Sequence, residues 1–110
     1  MSKTKRIWCP DRTPGIKTLS VNDLEENDTV IVSLPESSGS GYIWMIDELS
    51  DHQGKRLDKK PVNDDTVGGA TISEFKFDIE VVSGDIVLSY KRPWERKPAN
   101  TKLVIRIEES

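Results

Sequence analysis

The chain has 110 residues, enough for one domain with a buried core. Apolar residues make up 35% of it and charged residues 32%, which indicates a thin core and a heavily solvated surface. The net charge of −3 favours neither nucleic acid nor an acidic membrane as a partner, and the single cysteine excludes an intrachain disulfide and a cysteine metal cluster.

The start of the chain is basic but has no apolar run of signal-peptide length. No segment is apolar for long enough to span a membrane. The sequence therefore favours a cytoplasmic protein, or a secreted or periplasmic one if a leader was removed. We expect a monomer.

The first half of the chain contains three predicted strands. Residues 1–15 mix charges with prolines and a glycine, and we interpret them as a flexible N-terminal arm or a poorly anchored first strand before a folded domain over 16–110. Because proline has no N–H to donate to a sheet, Pro35 is expected to end the second strand. The predicted strands cover 16–21, 29–34 and 42–47, with Val30, Val32 and Leu34, and then Tyr42, Trp44 and Ile46, each on one face.

The second half alternates in the same way. A polar segment over 49–63 is expected to hold a weak edge strand within a long connection. The turn at 83–85 is predicted to lead the longest strand directly into the next, as in a hairpin. Strands are predicted over 73–82, 86–90 and 102–108, with inward sets Phe75, Phe77, Ile79 and Val81; Ile86, Leu88 and Tyr90; and Leu103, Ile105 and Ile107. Short alternating strands without a helix predict an all-β sandwich of about seven to eight strands.

Three unusual loops interrupt this pattern, over residues 35–42, 66–70 and 90–94. Loops at the end of a rigid sandwich are common recognition surfaces, and these three would form one surface if they left the same end. Trp94 follows Pro93 in a segment that should be exposed, which favours a contact surface over a core position. The sequence therefore predicts a binding module.

The residues that catalysis requires are scarce. His52 is the only histidine and lies in a polar stretch, so we interpret it as solvated surface. The serines of the first loop lack the Gly-x-Ser-x-Gly context of a nucleophile elbow. Asp64 and Asp65 are interpreted as a charged turn, because no third carboxylate has the spacing of a calcium loop. We therefore expect no enzyme, no catalytic residue, no metal and no cofactor.

The three loops resemble those of the chagasin family, inhibitors of papain-like cysteine proteases. The first family loop reads Asn-Pro-Thr-Thr-Gly followed by Phe or Tyr, any residue and Trp; Ser37-Ser38-Gly39-Ser40-Gly41-Tyr42-Ile43-Trp44 has the same length and keeps Gly41, Tyr42 and Trp44. Gly68-Gly69 matches the end of the second loop, Gly-x-Gly-Gly. Arg92-Pro93-Trp94 matches the third in full.

This resemblance implies an immunoglobulin-like β-sandwich that inhibits papain-like cysteine proteases reversibly and without a covalent bond. The first loop would enter the active-site cleft, while the other two would clamp its walls. The implied protease-binding residues are Ser37, Ser38, Gly39, Ser40, Gly41, Tyr42, Gly68, Gly69, Arg92, Pro93 and Trp94. Trp44, on the same strand face as Tyr42, is expected in the core.

Two other functions stay open. The first loop departs from the family at its Asn, Pro and Thr positions, so a non-inhibitory adaptor that binds another protein through the same loops is the alternative. Nucleic-acid binding through Trp94 and the basic cluster Lys91, Arg92, Arg96 and Lys97 is disfavoured by the negative net charge.

Overall fold

A computed structural model of the chain describes residues 2–10, 14–37, 41–57, 60–61 and 70–109. Within these residues no helix is long and apolar enough to cross a membrane. The strands in these ranges are β1 (Thr4–Trp8), β2 (Gly15–Val21), β3 (Thr29–Ser37), β4 (Ile43–Ile46), β5 (Gly54–Arg56), β6 (Lys60–Pro61), β7 (Ala70–Asp78), β8 (Asp85–Lys91) and β9 (Thr101–Ile107).

The strands form two sheets that pack face to face as an all-β, immunoglobulin-like sandwich. One sheet has the order β1-β3-β7, with β5 and β6 both pairing with the far edge of β7 as one interrupted strand. The other has the order β2-β9-β8-β4. The edge strands β1 and β2 run parallel to their neighbours, and the remaining pairs are antiparallel. The predicted fold class is confirmed.

The core lies between the sheets and consists of alternate residues of each strand. Burial of one large apolar side chain stabilises the fold by about 1.5–3 kcal/mol. The apolar residues of each strand therefore determine which of its two faces is turned toward the core. Those predicted to face inward and found buried are Val30, Val32, Leu34, Trp44, Phe75, Phe77, Ile79, Ile86, Leu88, Leu103, Ile105 and Ile107.

The prediction that Pro35 ends its strand is wrong, because β3 continues to Ser37 and Pro35 pairs with Ile72. The Cys9 N–H donates to the Ser33 carbonyl at 3.0 Å, so the backbone polar groups of Ser33 point toward β1. Because residues two apart on a strand point their backbone polar groups to the same side, those of Pro35 also point toward the β1 edge. The pairing of β1 with β3 has already ended there, at Trp8 and Ser33. The N–H that proline lacks is therefore not one that β7 needs.

The end of the long strand β7 also differs from the prediction. The strand ends at Asp78 rather than residue 82, and Val81 is 62% exposed instead of inward. The following turn is not that of a hairpin, since β7 and β8 belong to different sheets. The chain crosses from one sheet to the other here. The inward–outward alternation predicted through Val81 stops at Asp78, where the hydrogen-bonded pairing of β7 ends.

The N-terminal segment contains a strand. β1 pairs with β3 over its whole length, Ile7 packs against the core and Cys9 is buried within it. Burial raises the pKa of the Cys9 thiol, which keeps it protonated and unreactive. Of the two interpretations of residues 1–15, residues 4–8 fit the first strand, although it is better anchored than expected, while the division of the chain at residue 15 stays a prediction.

Candidate functional site

The strand ends that carry the three loops meet at one end of the sandwich. In one sheet, Ser37 at the end of β3 pairs with Ala70 at the start of β7. In the other sheet, Ile43 at the start of β4 pairs with Lys91 at the end of β8. The indole Nε1–H of Trp44 donates to the Pro35 carbonyl at 3.1 Å and links the two sheets at this end. We call the surface formed here by the described residues 36–37, 41–44 and 90–95 the loop face.

Five of the predicted binding residues are described with their side chains or φ angles on the loop face. They are Gly41, Tyr42, Arg92, Pro93 and Trp94. Ser37 is described as the last residue of β3. The remaining predicted residues lie outside the described part of the chain: Ser38, Gly39, Ser40, Gly68 and Gly69.

A stack of aromatic rings connects the core to the loop face. The buried Trp44 ring lies 4.8 Å from that of Tyr90, which lies 5.5 Å from that of Tyr42. The Arg92 guanidinium caps the stack 4.7 Å above the Tyr42 ring, a cation–π contact, and donates to Glu95 at 3.2 Å. This stack fixes the first and third loops relative to each other. The prediction that Trp44 belongs to the core is confirmed.

Trp94 forms a second contact between the same loops. It is 68% exposed, yet its ring lies so close to Gly41 that a Cβ built there would be 2.6 Å from its Cη2. Gly41 also has a φ of +81°, which side chains rarely adopt. The third loop therefore presents a large rigid aromatic face to solvent, directly above a bend of the first loop that requires glycine.

An ionic cluster lies at the base of the first loop, with Glu36 buried and Arg56 partly exposed. Glu36 is 1% exposed, and its Oε1 accepts a hydrogen bond from Arg56 Nη2 at 2.6 Å and another from the Ser73 hydroxyl. Its Oε2 accepts from the backbone N–H of Trp44 at 3.1 Å. Arg56 Nη1 donates to the Trp44 carbonyl at 2.7 Å. We call Glu36, Arg56 and Ser73, with the Trp44 backbone, the stem cluster.

Glu36 was not among the binding residues predicted from the sequence. The signal was present, since Glu36 continues the spacing of Val30, Val32 and Leu34 and so shares their inward face. Treating Pro35 as the end of the strand removed Glu36 from that alternation. Arg56 carried no comparable signal, because its strand has three residues, too few to show an alternation, and pairs with the distant strand β7.

The prediction that His52 is solvated surface is wrong. His52 is buried, and its Nε2 lies 2.6 Å from the Ser83 carbonyl. It follows the end of β4 and contacts the segment before β8, whereas the loop face lies at the start of β4 and the end of β8. His52 therefore joins two connections at the opposite end of the sandwich.

Comparison with known proteins assigns this architecture to a family. The model of the Chagasin family peptidase inhibitor I42 matches residues 23–108, and the chain belongs to that family. No curated protein gave a sequence match.

Solved structures with the same fold cover nearly the whole chain. The cysteine protease inhibitor EhICP2 from Entamoeba histolytica is 23% identical, over 96% of this chain and 97% of its own, with a TM-score of 0.54. Amebosin is 16% identical over 94% of this chain and 98% of its own, with a TM-score of 0.58. PbICP-C, in its complex with falcipain-2, is 15% identical over 99% of this chain and 100% of its own, with a TM-score of 0.63. At these identities the likeness shows the shared fold.

Proposed function

We propose that this protein is a reversible, non-covalent and non-enzymatic inhibitor of papain-like cysteine proteases that uses the loop face as its binding surface. Membership of a family of peptidase inhibitors supports the class of function. The observation that carries the binding surface is the exposed Trp94 ring lying against Gly41. A monomeric domain suffices for this role, since one copy supplies all three loops.

The loop face has the physical properties that blocking a cleft requires. A blocker must fill the groove without offering an extended peptide to the catalytic thiol, and the positive φ of Gly41 bends the first loop away from an extended form. Trp94 offers a rigid apolar surface and Arg92 a fork of hydrogen-bond donors, two residue types that dominate binding hot spots. Pro93 fixes its own φ and so lowers the entropy lost on binding.

In this proposal Ser37 to Tyr42 occupy the cleft, and Arg92, Pro93 and Trp94 hold one wall. Gly68 and Gly69 would contact the other wall. Two structural relatives support the target class: EhICP2 is a cysteine protease inhibitor, and PbICP-C was solved in complex with falcipain-2.

The direct test is a titration of papain and of a cathepsin L-type protease, followed with a fluorogenic peptide substrate. We expect submicromolar, reversible inhibition that Trp94→Ala weakens by at least about 2 kcal/mol, or about thirtyfold in Ki, as hot-spot truncations do. The matched control is Trp8→Ala, because Trp8 is also exposed, at 53%, but lies on the edge strand β1 outside the loops. This control should inhibit like wild type.

Two results would contradict the proposal in different ways. Equal inhibition by wild type and Trp94→Ala would remove the anchor role of Trp94. No inhibition at micromolar concentration by folded wild-type protein would remove the inhibitory function. It would favour the adaptor alternative, which the diverged residues 37–40 of the first loop motivate.

A further inference from the structure

We propose that Glu36 and Arg56 are positioning residues for protease binding, because the stem cluster joins the two strands at the base of the first loop. This inference rests on the proposed function, since it assigns the stem cluster a role in inhibition. Neither residue needs to touch the protease. They would act through the loop that joins β3 to β4.

The cluster joins the two ends of that loop directly. Pro35 and Glu36 precede the loop on β3, and Trp44 follows it on β4, in the opposite sheet. Glu36 Oε2 accepts from the Trp44 N–H, and the Pro35 carbonyl accepts from the Trp44 indole, both at 3.1 Å. The loop is therefore closed at its base by two hydrogen bonds that cross between the sheets.

Arg56 completes the closure from a third strand. Its guanidinium donates to Glu36 on one side of the stem and to the Trp44 carbonyl on the other, at 2.6 and 2.7 Å. It also donates to the Ser73 hydroxyl at 2.8 Å and lies 5.4 Å from the centre of the Phe75 ring. One cation thus links the Glu36 side chain on β3 to the Trp44 backbone on β4, the two strands that flank the first loop.

Stability alone gives a weak reason for this arrangement. Replacing a buried ion pair with apolar residues of similar size is often neutral or stabilising, whereas removing one partner leaves an unpaired buried charge. What the ion pair supplies here is geometry, since Glu36 accepts hydrogen bonds at both oxygens from donors on three different strands.

Glu36→Gln should disturb this geometry with almost no change in volume. If the amide oxygen faces Arg56, the amide NH2 faces the Trp44 N–H, and two donors oppose each other. In the other orientation, the NH2 faces the Arg56 guanidinium. Either orientation opens one side of the stem, so a smaller fraction of molecules holds the loop ready to bind.

A loop that is ready less often gives a specific kinetic signature. When only a fraction of the inhibitor molecules can bind, the apparent association rate is the intrinsic rate multiplied by that fraction. The complex, once formed, keeps its contacts and its dissociation rate. Loss of a direct contact such as Trp94 instead raises the dissociation rate. The two rate constants therefore separate a positioning role from a contact role.

The experiment measures association and dissociation rates with papain for wild type, Glu36→Gln and a control, together with amide hydrogen exchange at Trp44. Glu36→Gln should lower the association rate about tenfold, as expected for one lost hydrogen bond to a charged group, with a dissociation rate within about twofold of wild type. Exchange of the Trp44 amide should become faster. The control is Glu74→Gln, another buried carboxylate that accepts from Ser33 Oγ at 3.1 Å and pairs with Arg6 at 3.6 Å, on the outer face of the same sheet. It should leave both rates unchanged.

A second variant keeps the test decisive if Glu36→Gln does not fold. Glu36→Leu combined with Arg56→Met removes both charges together, so no buried charge is left unpaired. A stable double variant with slower association supports the positioning role. Wild-type association rates in folded Glu36→Gln or in the double variant overturn it. Wild-type protein that binds no protease overturns the proposed function itself. That result is distinct from inhibition whose association rate does not change when Glu36 is substituted, which overturns only the positioning role.

Discussion

Single residues of the loop face combine two demands that normally conflict. A contact surface needs large side chains in water, whereas a rigid surface needs packing. Trp94 meets both, because one part of its ring lies against Gly41 while most of it stays exposed. Arg92 does the same through the Tyr42 ring. The absence of a side chain at Gly41 is therefore as important to the surface as the presence of Trp94.

We predict that Gly41→Ala weakens inhibition about tenfold or more, because the new Cβ would displace the Trp94 ring and an alanine at this φ costs about 1–2 kcal/mol. Inhibition assays and thermal unfolding measure the two effects. The matched control is Gly84→Ala, with a φ of +88° beside Asp51 at the other end of the sandwich. It should lower the unfolding temperature and leave inhibition unchanged. Equal Ki values for wild type and Gly41→Ala would show that Trp94 does not depend on Gly41.

At the scale of elements, the edge strand β1 decides whether the N-terminal segment belongs to the sandwich. Ile7 on β1 packs against the core, whereas Ile16 on the other parallel edge strand, β2, is 71% exposed. Ile7→Ala should lower the free energy of unfolding by about 1–2 kcal/mol. This is less than the loss of about 2–5 kcal/mol expected when a fully buried isoleucine is replaced by alanine. Ile16→Ala should change it by less than about 0.5 kcal/mol.

Urea denaturation of the two variants measures this difference. Equal stabilities would mean that residues 1–15 behave in solution as the flexible arm that their composition suggested, and that β1 contributes little to the fold.

The inward faces were predictable from the sequence in the middles of the strands and less so at their ends. Alternation predicted the inward faces of β3, β7, β8 and β9 because burial imposes a period of two wherever a ladder is continuous. It failed at Val81, where the ladder of β7 has ended, and at Glu36, where Pro35 was expected to end β3.

Local sequence contains no signal for contacts that depend on how distant segments meet. The burial of His52 against Ser83 and the pairing of Arg56 with Glu36 are such contacts. Within the site, Arg92-Pro93-Trp94 was recognisable as a motif. Its contacts with Gly41 and Tyr42 were not, since they depend on the packing of two loops.

At the scale of the whole molecule, the two ends of the sandwich have different chemistry. The loop face carries aromatic rings and the basic residues Lys91 and Arg92. At the other end, buried groups such as Asp28 and His52 fix the connections between the sheets. Binding and stability are thus separated in space, so substitutions at the second end should change stability and leave inhibition intact.

Acid stability tests this division. Asp28 accepts hydrogen bonds from the backbone N–H groups of Glu25 and Lys3, both at 2.9 Å, and these bonds lower the pKa of its carboxyl group. A carboxyl whose pKa is lower in the folded protein stabilises the fold above its unfolded value of about 3.9, and this contribution is lost as the pH falls through the folded pKa. Partial burial alone would raise the pKa of the Asp47 carboxyl group, but hydrogen bonds from Ser89 and Leu49, together with the charge of Lys102, lower it.

The free energy of unfolding should therefore be nearly constant from about pH 7 to about pH 5 and should fall steeply below about pH 4. Asp28→Asn should be less stable than wild type at neutral pH and should lose less stability on acidification, since one of the responsible carboxyls is gone. Urea denaturation across this pH range measures both effects, with the exposed Glu26→Gln as the charge-matched control. An Asp28→Asn protein that loses as much stability in acid as wild type would show that Asp28 is not the group that titrates. Unchanged inhibition of papain by the same variant at neutral pH would show that the loop face does not depend on this end of the sandwich.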